Sequence, residues 1–381
     1  YGLIFSLNYH EENYTANFGG SVNKYVGDHF GELIWAQYPG NSEKGYRWYE
    51  NTGTKPEYNV YAKINYNLSS SLNAYGDLQL RNIDYEIEGI DDDSRDISQE
   101  HHFFFLNPKI GINFRPNPGN RLYASFSIAN REPNRSNFVD ADPNQPIPKY
   151  ETLYDYEMGY HLIGNHFKTE INFYFMDYEN QLVLTGEIND VGAPVMTNVK
   201  DSYRAGVEVS TSLNFGKYFE WKGNMTLSRN KISNLTSYVD NWDYWNDPDT
   251  EVYQYESQLG ETDIAFSPFL TAGSFLTLSL LKDLNINLQS KLVSKQYLDN
   301  TSSVERELDS WFINDLIINY NINTKYIKEL RLNFMIINLF SHIYESNAWI
   351  YRYYSGGMEQ MMDGYYPQAG IHFMSGVSIK F

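Results

Sequence analysis

Apolar and polar residues alternate at every second position along most of this chain. Residues 154–162 place Tyr, Met and Leu side chains on one face and Asp, Glu and His on the other, and residues 167–175, 204–215 and 284–292 repeat the pattern. Because successive side chains of a β-strand point to opposite faces, this period predicts strands with one apolar and one polar face. Helical periodicity is scarce, so the sequence indicates an all-β fold.

The connections between the predicted strands alternate between short and long. Short polar turns occupy residues 69–71, 117–120, 164–166 and 282–283. The long polar connections lie at residues 25–56, 88–100, 131–149, 186–200, 234–261, 298–307 and 346–365. Short turns at one end of the strands and long loops at the other are typical of an outer-membrane barrel. We therefore expect a transmembrane antiparallel β-barrel, with about 15 strands of roughly 10 to 15 residues in this chain.

The composition agrees with a barrel and argues against other classes. Aromatic residues make up 17% of the chain, with 34 Tyr and 7 Trp, which suits aromatic girdles at two membrane interfaces. The formal net charge of -19 argues against a nucleic-acid partner, because no basic surface is available for phosphate groups. Cysteine is absent, which excludes thiolate metal sites and cysteine nucleophiles. A large soluble β-sandwich or propeller is the alternative, but no helix is predicted to cover the recurring apolar face.

The predicted strand count is odd. The first predicted strand, residues 1–10, and the last, residues 371–381, both run toward the short-turn end of the sheet. Bacterial single-chain barrels have an even number of strands. We therefore expect further strands before residue 1 and treat residues 1–381 as one β-barrel domain.

Two segments resemble a known family. Residues 127–135 read Ser-Ile-Ala-Asn-Arg-Glu-Pro-Asn-Arg, and residues 151–160 follow with a strand of aromatic, acidic and glycine residues. Residues 338–345 contain Asn-Leu-Phe with a tyrosine close behind, ahead of a loop and a final strand that ends at Phe381. In this order, the elements resemble the barrel of TonB-dependent outer-membrane receptors. The terminal Phe381 also looks like the signal read by the barrel assembly machinery of Gram-negative bacteria.

The resemblance implies a fold, a location and an activity. It implies that residues 1–381 are the C-terminal portion of a barrel of about 22 strands, with the plug domain and the first strands outside this sequence. It also implies the Gram-negative outer membrane, contact with its lipid and lipopolysaccharide, coupling to the TonB complex through the plug, and a surface lipoprotein as a further partner. Such receptors import scarce nutrients without covalent chemistry, so we expect no catalytic residues.

We expect a ferric siderophore or another iron chelate as the substrate. Cobalamin, haem, copper and a glycan are alternatives for a receptor of this family. A different class is a passive porin of roughly 16 strands, which a chain of this length would suit. The odd strand count, the long outer connections and residues 338–345 favour the receptor.

Candidate ligand-binding residues lie in or beside the predicted long loops. Arg131 and Arg135 flank a proline-containing turn, and arginine forks bind carboxylate or catecholate groups through two hydrogen bonds. Histidine could bind metal or haem, aromatic rings could stack on a flat ligand, and methionine thioethers suit Cu(I) or an apolar ligand. The remaining candidates are His29, Trp35, His101, His102, Trp245, Trp349, Tyr351, Met358 and Met361. Each also has a structural interpretation: loop packing, an interface girdle or, for the arginines, pairing with Glu132 or Asp140.

Acidic residues also cluster in the predicted loops. The run Asp91-Asp92-Asp93 offers carboxylate oxygens that suit Ca²⁺, although its spacing is not that of an EF-hand loop. Apart from bound calcium, we expect no cofactor. The other acidic loop residues are expected to be solvated or to bridge lipopolysaccharide through divalent ions: Asp140, Asp142, Asp240, Asp243, Asp247 and Asp249.

Overall fold

The computed structural model describes residues 1–141, 146–188, 192, 194–281, 283–322 and 327–380. Phe381, the expected assembly signal, and Asp142 lie outside the described residues. Twenty strands account for most of the described chain, together with one short α-helix and one short 3₁₀ helix. No helix in this part of the chain has the length and apolar character needed to cross a membrane. The expected all-β fold is confirmed.

The strands are numbered in chain order. The α-helix α1 spans Arg135–Val139, and the 3₁₀ helix spans Trp242–Trp245. The strands are β1 (Gly2–His10), β2 (Tyr14–Glu32), β3 (Arg47–Asn67), β4 (Leu72–Gly89), β5 (Gln99–Asn117), β6 (Asn120–Arg131), β7 (Glu151–Ile163), β8 (Phe167–Ile188), β9 (Pro194–Phe215), β10 (Phe219–Asn241), β11 (Gln254–Asp263), β12 (Leu270–Leu281), β13 (Leu284–Val293), β14 (Gln296–Tyr297), β15 (Glu307–Leu308), β16 (Trp311–Ile322), β17 (Glu329–Ile337), β18 (Glu345–Ser355), β19 (Met358–Pro367) and β20 (His372–Lys380).

The alternation of short and long connections is confirmed within the described part of the chain. Fifteen strands form the alternating series: β1 to β10, β12, β13, β16, β17 and β20. A short connection such as 68–71, between β3 and β4, is followed by a long one such as 90–98, between β4 and β5. The other five strands (β11, β14, β15, β18 and β19) lie inside long connections. The expected count of about 15 barrel strands is therefore confirmed.

Seven strands are longer than expected. β2 to β5 and β8 to β10 have 18 to 23 residues, so the expectation of 10 to 15 residues was wrong for them. Within the loop expected at residues 186–200, residues 186–188 and 194–200 belong to strands, and Ile188 pairs with Pro194 across β8 and β9. Antiparallel pairing satisfies backbone N–H and C=O groups in water as well as in hydrocarbon. The ladder can therefore continue past the membrane into segments of polar composition.

The strands fall into two compact units. The first comprises Tyr1–Phe114 and Ser125–Tyr154, and the second comprises Arg115–Ala124 and Asp155–Phe381. Within the first unit, β1 to β5 pair in chain order and in antiparallel register. Within the second, the antiparallel order is β8, β9, β10, β12, β13, β16, β17 and β20. There, β18 and β19 form a hairpin that touches β10 through a two-residue parallel bridge.

The predicted polar and apolar faces are present in the first unit. Lys63, Asp77 and Lys109 are direct partners on β3, β4 and β5, so three charged residues form a row on the polar face. Val60 and Leu106 belong to the other face of the same strands and are exposed. Exposed apolar residues in such numbers are expected where a face meets hydrocarbon rather than a protein core.

Tyrosines on the polar face lie over glycines of the neighbouring strand. Tyr75 is the direct partner of Gly111 in the first unit, and a Cβ atom at Gly111 would lie 2.6 Å from the Tyr75 ring. Tyr174 covers Gly206 in the same way in the second unit, where a Cβ atom would lie 2.5 Å from the phenol oxygen. Both positions require glycine because any side chain would displace the ring.

Candidate functional site

The polar face of the first unit becomes apolar at its loop-side end. On β4, Leu80 points to the apolar face and Arg81 to the polar face. Beyond Arg81 the residues on the polar face are Ile83, Tyr85 and Ile87, and all three are buried. This change creates an apolar floor against which the long connection 132–150 can pack.

The helix α1 packs on this floor. Phe138 of α1 is buried, and its ring centroid lies 6.2 Å from that of Tyr85. The Asn134 side chain accepts a hydrogen bond from the backbone N–H of Asn137, and the Asn137 side chain accepts one from the Asn134 backbone. Such a capping box fixes the start of a short helix. We use the name α1 cluster for α1 together with the buried residues Tyr85, Ile87, Ile97 and Phe138.

A buried ion-pair network holds the start of the connection that carries α1. The Glu132 side chain is 9% exposed, and its Oε1 atom accepts from Lys55 Nζ at 2.7 Å and from Arg81 Nη2 at 3.3 Å. Arg81 Nε also pairs with Glu57 Oε1 at 2.9 Å. Burial opposes the ionisation of Glu132, but the hydrogen bond from Lys55 and the charges of both cations outweigh it. They hold the pKa of Glu132 below its ordinary value.

Two of the predicted ligand-binding residues meet beside the α1 cluster. Arg135 Nη2 donates to Asn51 Oδ1 at 2.6 Å, and His29 lies near enough to Arg135 for their charges to interact. Arg135 Nε and His29 Nε2 are both buried, and neither has a hydrogen-bond partner among the described residues. Arg131, in contrast, has an exposed side chain whose Nε lies 2.9 Å from Glu151 Oε1. The two predicted arginines therefore differ in surroundings.

His101 and His102 point to opposite faces of β5, as the strand alternation predicts. The His101 ring stacks on Phe138, with 3.9 Å between ring centroids and 13° between the planes. His102 Nδ1 lies 2.7 Å from Asp84 Oδ1, and the His102 side chain is exposed. Only His101 of this pair is part of the site around α1.

The first unit thus brings together three of the predicted ligand-binding residues, namely His29, His101 and Arg135. Trp35 lies in the connection 33–46, where its side chain is exposed among other exposed apolar residues. Among the described residues, no contact joins Trp35 to α1.

The acidic run 91–93 forms a turn that is stabilised by an arginine. The buried Asp91 carboxylate accepts from the backbone and the Nε of Arg95, each at 2.8 Å, and from the backbone N–H of Asp93 at 3.1 Å. Burial opposes ionisation of Asp91, but these hydrogen bonds outweigh it and lower its pKa. Oxygen atoms of Asp91, Asp92 and Asp93 lie within 4.8 Å of one another, as a shared cation would require. Calcium stays a prediction here, with Arg95 as a competing cation.

In the second unit the loop-side site is built around the β18–β19 hairpin. The Trp242 ring stacks on Tyr353 with 4.0 Å between centroids, and its Nε1 atom donates to Tyr351 Oη at 3.1 Å. Tyr351 in turn donates to Asp240 Oδ2 at 2.7 Å. Burial, together with the hydrogen bond to Asp240, raises the pKa of Tyr351. The phenol therefore keeps its proton at neutral pH and acts as a hydrogen-bond donor.

A carboxylate holds the tip of this hairpin. Asp243 accepts hydrogen bonds from the backbone N–H groups of Gly356 and Gly357, both at 2.9 Å. The two glycines have φ angles of 65° and 74°, which glycine adopts without steric cost. Their N–H groups hold the pKa of Asp243 below its ordinary value. We use the name hairpin clasp for Asp240, Trp242, Asp243, Tyr351 and Tyr353.

Ion pairs also hold the hairpin close to its tip. Arg352 Nε lies 2.7 Å from Glu359 Oε1 on the facing strand. Arg352 Nη1 lies 4.0 Å from Asp299 Oδ2, and the same oxygen pairs with Arg306 Nε at 2.8 Å. Asp299, Arg306 and Arg352 are all largely buried, whereas the contacts at the hairpin tip are exposed.

The other predicted residues of the second unit fall in different places. Tyr351 belongs to the hairpin clasp, and Trp349 is half-buried against β19. Met358 and Met361 on β19 and Trp245 in the 3₁₀ helix are exposed. Of the predicted ligand-binding residues in this unit, only Tyr351 therefore belongs to the clasp, whereas Asp240 and Asp243, expected to be solvated or to bridge lipopolysaccharide, accept hydrogen bonds within it.

Sequence reasoning missed the acceptor of the hairpin tip and the buried carboxylate near α1. The Gly356-Gly357 pair is a turn signal, and a turn with free N–H groups needs an acceptor. That acceptor, Asp243, is 113 residues away from Gly356 in the chain. From the sequence, Glu132 was considered only as a possible partner of an arginine. The residues next to Glu132 in the chain do not indicate that it is buried.

The segment 338–345 has a structural explanation. Asn338 is buried and has a φ of 53°, a region that asparagine tolerates better than most residues. Its Nδ2 atom donates to the carbonyl oxygens of His342 and Ala369 at 2.8 and 3.0 Å, and its Oδ1 atom accepts from the His342 N–H at 2.9 Å. Asn338 therefore closes the turn after β17, and Phe340 is left exposed.

One family model and several solved structures are similar to this chain. The family model described as "TonB dependent receptor-like, beta-barrel" matches residues 1–339. The ferric-catecholate import receptor Fiu from E. coli K12 is similar in structure, at 13% identity and a TM-score of 0.69, covering 100% of this chain and 54% of that chain. The copper transporter OprC matches at 14% identity and a TM-score of 0.73, covering 99% of this chain and 55% of that chain. The siderophore receptor PiuA from Acinetobacter baumannii matches at 14% identity and a TM-score of 0.69, with the same coverage.

No curated protein matches this sequence. The chain spans about half the length of the solved structures that it matches, and identities this low establish a likeness of fold alone. The family model, in contrast, covers residues 1–339, most of the chain and all of residues 127–160, which confirms the family resemblance. This chain therefore belongs to the TonB-dependent receptor family, as part of its β-barrel.

Proposed function

We propose that this protein is part of an outer-membrane receptor that imports an iron chelate. TonB-dependent receptors are transport proteins of the outer membrane rather than enzymes. What we propose beyond membership of this family is the identity of the substrate. The observation that supports it is the grouping of Arg135, His29 and His101 at the loop-side end of the polar face. The acceptor of Arg135 is the neutral amide of Asn51 rather than a carboxylate.

An anionic chelate would need such a group. Catecholate and carboxylate chelators surround ferric iron with negatively charged oxygen atoms, and a guanidinium group binds such oxygens through charge-assisted hydrogen bonds. The chain has a net charge of -19, so a guanidinium group that has no carboxylate partner among the described residues would be an attractive site for an anion. The His101 and Phe138 rings add flat surfaces on which an aromatic chelator could stack.

The comparisons support this substrate class without establishing it. Two of the similar solved structures are named as a ferric-catecholate import receptor and a siderophore receptor. Their identity to this chain is 13% and 14%, so their substrates pass to it only as part of this proposal.

Copper is the second candidate, because three methionines lie close together on β19. Met358, Met361 and Met362 are all exposed. Thioether sulfur is a preferred ligand of Cu(I), and one similar structure is named a copper transporter. Met361 and Met362 are adjacent in a strand and point to opposite faces, which weakens the case for one shared site. An iron chelate therefore remains the first candidate substrate.

The location and partners follow from the same proposal. The receptor would lie in the outer membrane of a Gram-negative cell, in contact with lipid and lipopolysaccharide. It would take energy from the TonB complex through a plug domain and be inserted by the barrel assembly machinery. A surface lipoprotein would be a further partner on the loop side.

The proposal is tested by uptake assays with the full-length receptor in a strain that lacks its gene. Labelled iron is supplied as a tris-catecholate complex or as ferric citrate, and labelled copper and cobalamin are supplied separately. We expect loss of the gene to lower uptake of one iron chelate at least about tenfold, leaving copper and cobalamin uptake unchanged. Wild-type uptake of every iron probe by the deletion strain would exclude the iron proposal.

Two arginine variants locate the binding group. Arg135→Gln removes the guanidinium beside His29 and should lower chelate uptake about tenfold. Arg131→Gln is the matched control, because Arg131 is exposed and pairs with Glu151, and uptake should change by about twofold or less. If copper uptake falls instead, in the deletion strain and in Met358→Leu, the second candidate is correct.

A further inference from the structure

The β18–β19 hairpin of the second unit has one edge that is not paired with another strand. β19 pairs with β18 in antiparallel register from the pair Ala348 and Tyr365 to the pair Ser355 and Met358. Among the described residues, no other strand pairs with β19. Each neighbour of an antiparallel strand uses the backbone groups of every second residue. The other N–H and C=O groups of β19 therefore form an open row.

The turn of the hairpin determines which backbone groups belong to this row. Ser355 and Met358 flank the two-residue turn Gly356-Gly357, so they form a hydrogen-bonded pair, and pairs of the two kinds alternate from there. In every second pair, the backbone groups of the β19 residue point away from β18. We use the name open edge for the backbone groups of these residues, which are Glu359, Met361, Asp363 and Tyr365.

Large side chains on both faces of β19 are exposed to solvent. Met361 and Tyr365 lie on one face, and Met362 and Tyr366 lie on the other. Each of these four side chains is between 42% and 49% exposed. The hairpin lies in the long connection between β17 and β20, at the loop side, so hydrocarbon does not account for this exposure. β19 therefore offers apolar contacts beside its open edge.

β19 lacks the features that usually prevent further pairing at an edge strand. Between Met358 and Tyr366 there is no lysine, no proline and no shift of register. β11 is a useful comparison, because it pairs with β10 alone among the described residues. Its register shifts beside Gly260, which has a φ of 71°, and such a bulge distorts an edge. The edge of β19 is regular by comparison and can be extended by another strand.

Carboxylates surround one end of the open edge. Burial raises the pKa of the Tyr365 phenol, and the charges of three carboxylates raise it further. These carboxylates belong to Asp363, Glu345 and Asp309. None of the three forms an ion pair among the described residues, and the nearby cation Arg352 pairs with other carboxylates. A cationic side chain would therefore be favoured beside this end of β19.

The chemistry of the open edge selects the kind of molecule that fits it. N–H donors and C=O acceptors that recur at every second residue, roughly 7 Å apart, are matched by another polypeptide in extended conformation. A second copy of this chain fits poorly. In an antiparallel pair of two β19 strands, Glu359 and Asp363 would lie opposite or diagonal to carboxylates of the same row, which is unfavourable.

We propose that the open edge of β19 binds an extended oligopeptide by strand addition, with a lysine or arginine of the peptide beside Asp363. The open edge spans residues 359–365, so about seven residues of the peptide are held. Alternate side chains of the peptide contact Met361 and Tyr365. This site lies in the second unit and is independent of the iron-chelate site proposed in the first.

The test uses the full-length receptor, purified in mild detergent, and a labelled heptapeptide of alternating valine and lysine. Fluorescence anisotropy measures binding, and hydrogen exchange is followed in residues 358–366. We expect the peptide to bind and to protect open-edge amides that exchange freely without it. The same peptide N-methylated at every residue keeps its side chains and charge but loses its N–H donors, and it should bind at least about tenfold more weakly.

Two variants of the receptor separate the charge from the backbone contribution. Asp363→Asn should weaken binding of the lysine peptide about threefold. Glu329→Gln is the matched control, because it removes the same charge at the turn-side end of the unit, and binding should be unchanged. Met361→Pro removes one outward N–H without removing a hydrogen bond to β18, and it should weaken binding about tenfold.

Equal binding of the plain and the N-methylated peptide to the wild type would mean that charge alone attracts the peptide, and it would overturn the proposal. Protection of the open-edge amides in the receptor without peptide would also overturn it, because the edge would then be covered already. The same holds for a receptor dimer or a co-purifying protein that protects these amides. Each of these outcomes leaves the iron-chelate proposal intact, because that proposal is tested by uptake.

Discussion

The α1 cluster and the hairpin clasp both lie at the loop-side end of their units, but different forces hold them. The α1 cluster buries the rings of Tyr85 and Phe138 and is anchored by Glu132, a carboxylate that is almost fully buried. The hairpin clasp depends on Asp243 and on the stacked ring of Trp242, both at the exposed tip of the hairpin. The α1 cluster is held by desolvated packing and charge, whereas the tip of the hairpin is held by solvent-accessible hydrogen bonds.

This difference predicts different local stability. Segments with few buried apolar contacts and exposed hydrogen bonds open at a lower free energy than buried ones. We therefore expect the tip of the β18–β19 hairpin to open and reclose, while α1 and the part of β18 that buries Ala348 and Ile350 stay docked. Under the proposed function, the α1 cluster is then a preorganised binding surface of the first unit, and the hairpin tip is an adjustable segment of the second.

The largest effect is expected from Glu132→Gln in the first unit. The substitution keeps the side-chain shape but removes the charge shared by Lys55 and Arg81, so Lys55 is left partly buried without its carboxylate. Losing one partner of such a network should weaken the docking of α1 by about 2 to 4 kcal/mol. Hydrogen exchange of the backbone amides of residues 135–139 measures this change.

A matched control lies in the same unit. Glu50 pairs with Arg47 at the surface, where 53% and 41% of the two side chains are exposed. Exposed pairs contribute about 0.5 kcal/mol or less, so Glu50→Gln should leave exchange in α1 unchanged. Similar exchange rates in the two variants would mean that the buried network does not hold α1.

A smaller effect is expected from Asp243→Asn in the second unit. Asparagine keeps one acceptor oxygen but loses the charge and the second acceptor, so the N–H of Gly356 or Gly357 is left without its partner. We expect the amides at the hairpin tip to exchange about tenfold faster, while α1 is unaffected. Wild-type exchange at the tip would assign the strength of the clasp to the stack of Trp242 on Tyr353, which Trp242→Leu would then test.

Much of the fold could be predicted because it follows from local periodicity. The strand count, the order of turns and loops, and the opposite directions of His101 and His102 all derive from a repeat of two residues. Asn338 lies in one of the segments that resemble the family, and its buried turn with positive φ restricts the residue type. Strand lengths could not be predicted in the same way. Beyond the hydrocarbon layer, both faces of a strand can carry polar residues. The alternation of apolar and polar residues along β10 therefore becomes weaker before the strand ends at Asn241.

The candidate site could be predicted only in part. Arg135 and His101 could be named as candidate ligand-binding residues from their residue types. Their positions beside α1, however, depend on contacts between segments that are distant in the chain. Arg135 bonds to Asn51 across 84 residues, and Asp243 bonds to Gly356 across 113. No local pattern encodes pairs at such separations. The change of the polar face of β4 to apolar after Arg81 was visible in the sequence, and it is the signal that marks where a loop packs on the sheet.

The smallest effect is expected from acidification of the wild-type hairpin clasp. The N–H groups of Gly356 and Gly357 stabilise the Asp243 anion, so its pKa in the folded protein lies below the ordinary value of 3.8. Because the pKa is lowered by folding, the stabilisation is complete above the ordinary value and is lost as the pH falls through the lower folded value. The clasp should therefore be unchanged between about pH 7 and about pH 5 and should loosen only below pH 3.8.

Fluorescence of Trp242 reports this loosening, taken as the difference between the wild type and Trp242→Phe at each pH. Asp240 also carries an ionisable carboxyl in the clasp, so the control must remove only the Asp243 charge. In Asp243→Asn the acid-dependent step should disappear, because the variant has no proton to bind at that position. A step that persists in Asp243→Asn, or that occurs in the wild type near neutral pH, would show that another group holds the hairpin tip and would remove the contrast with the α1 cluster.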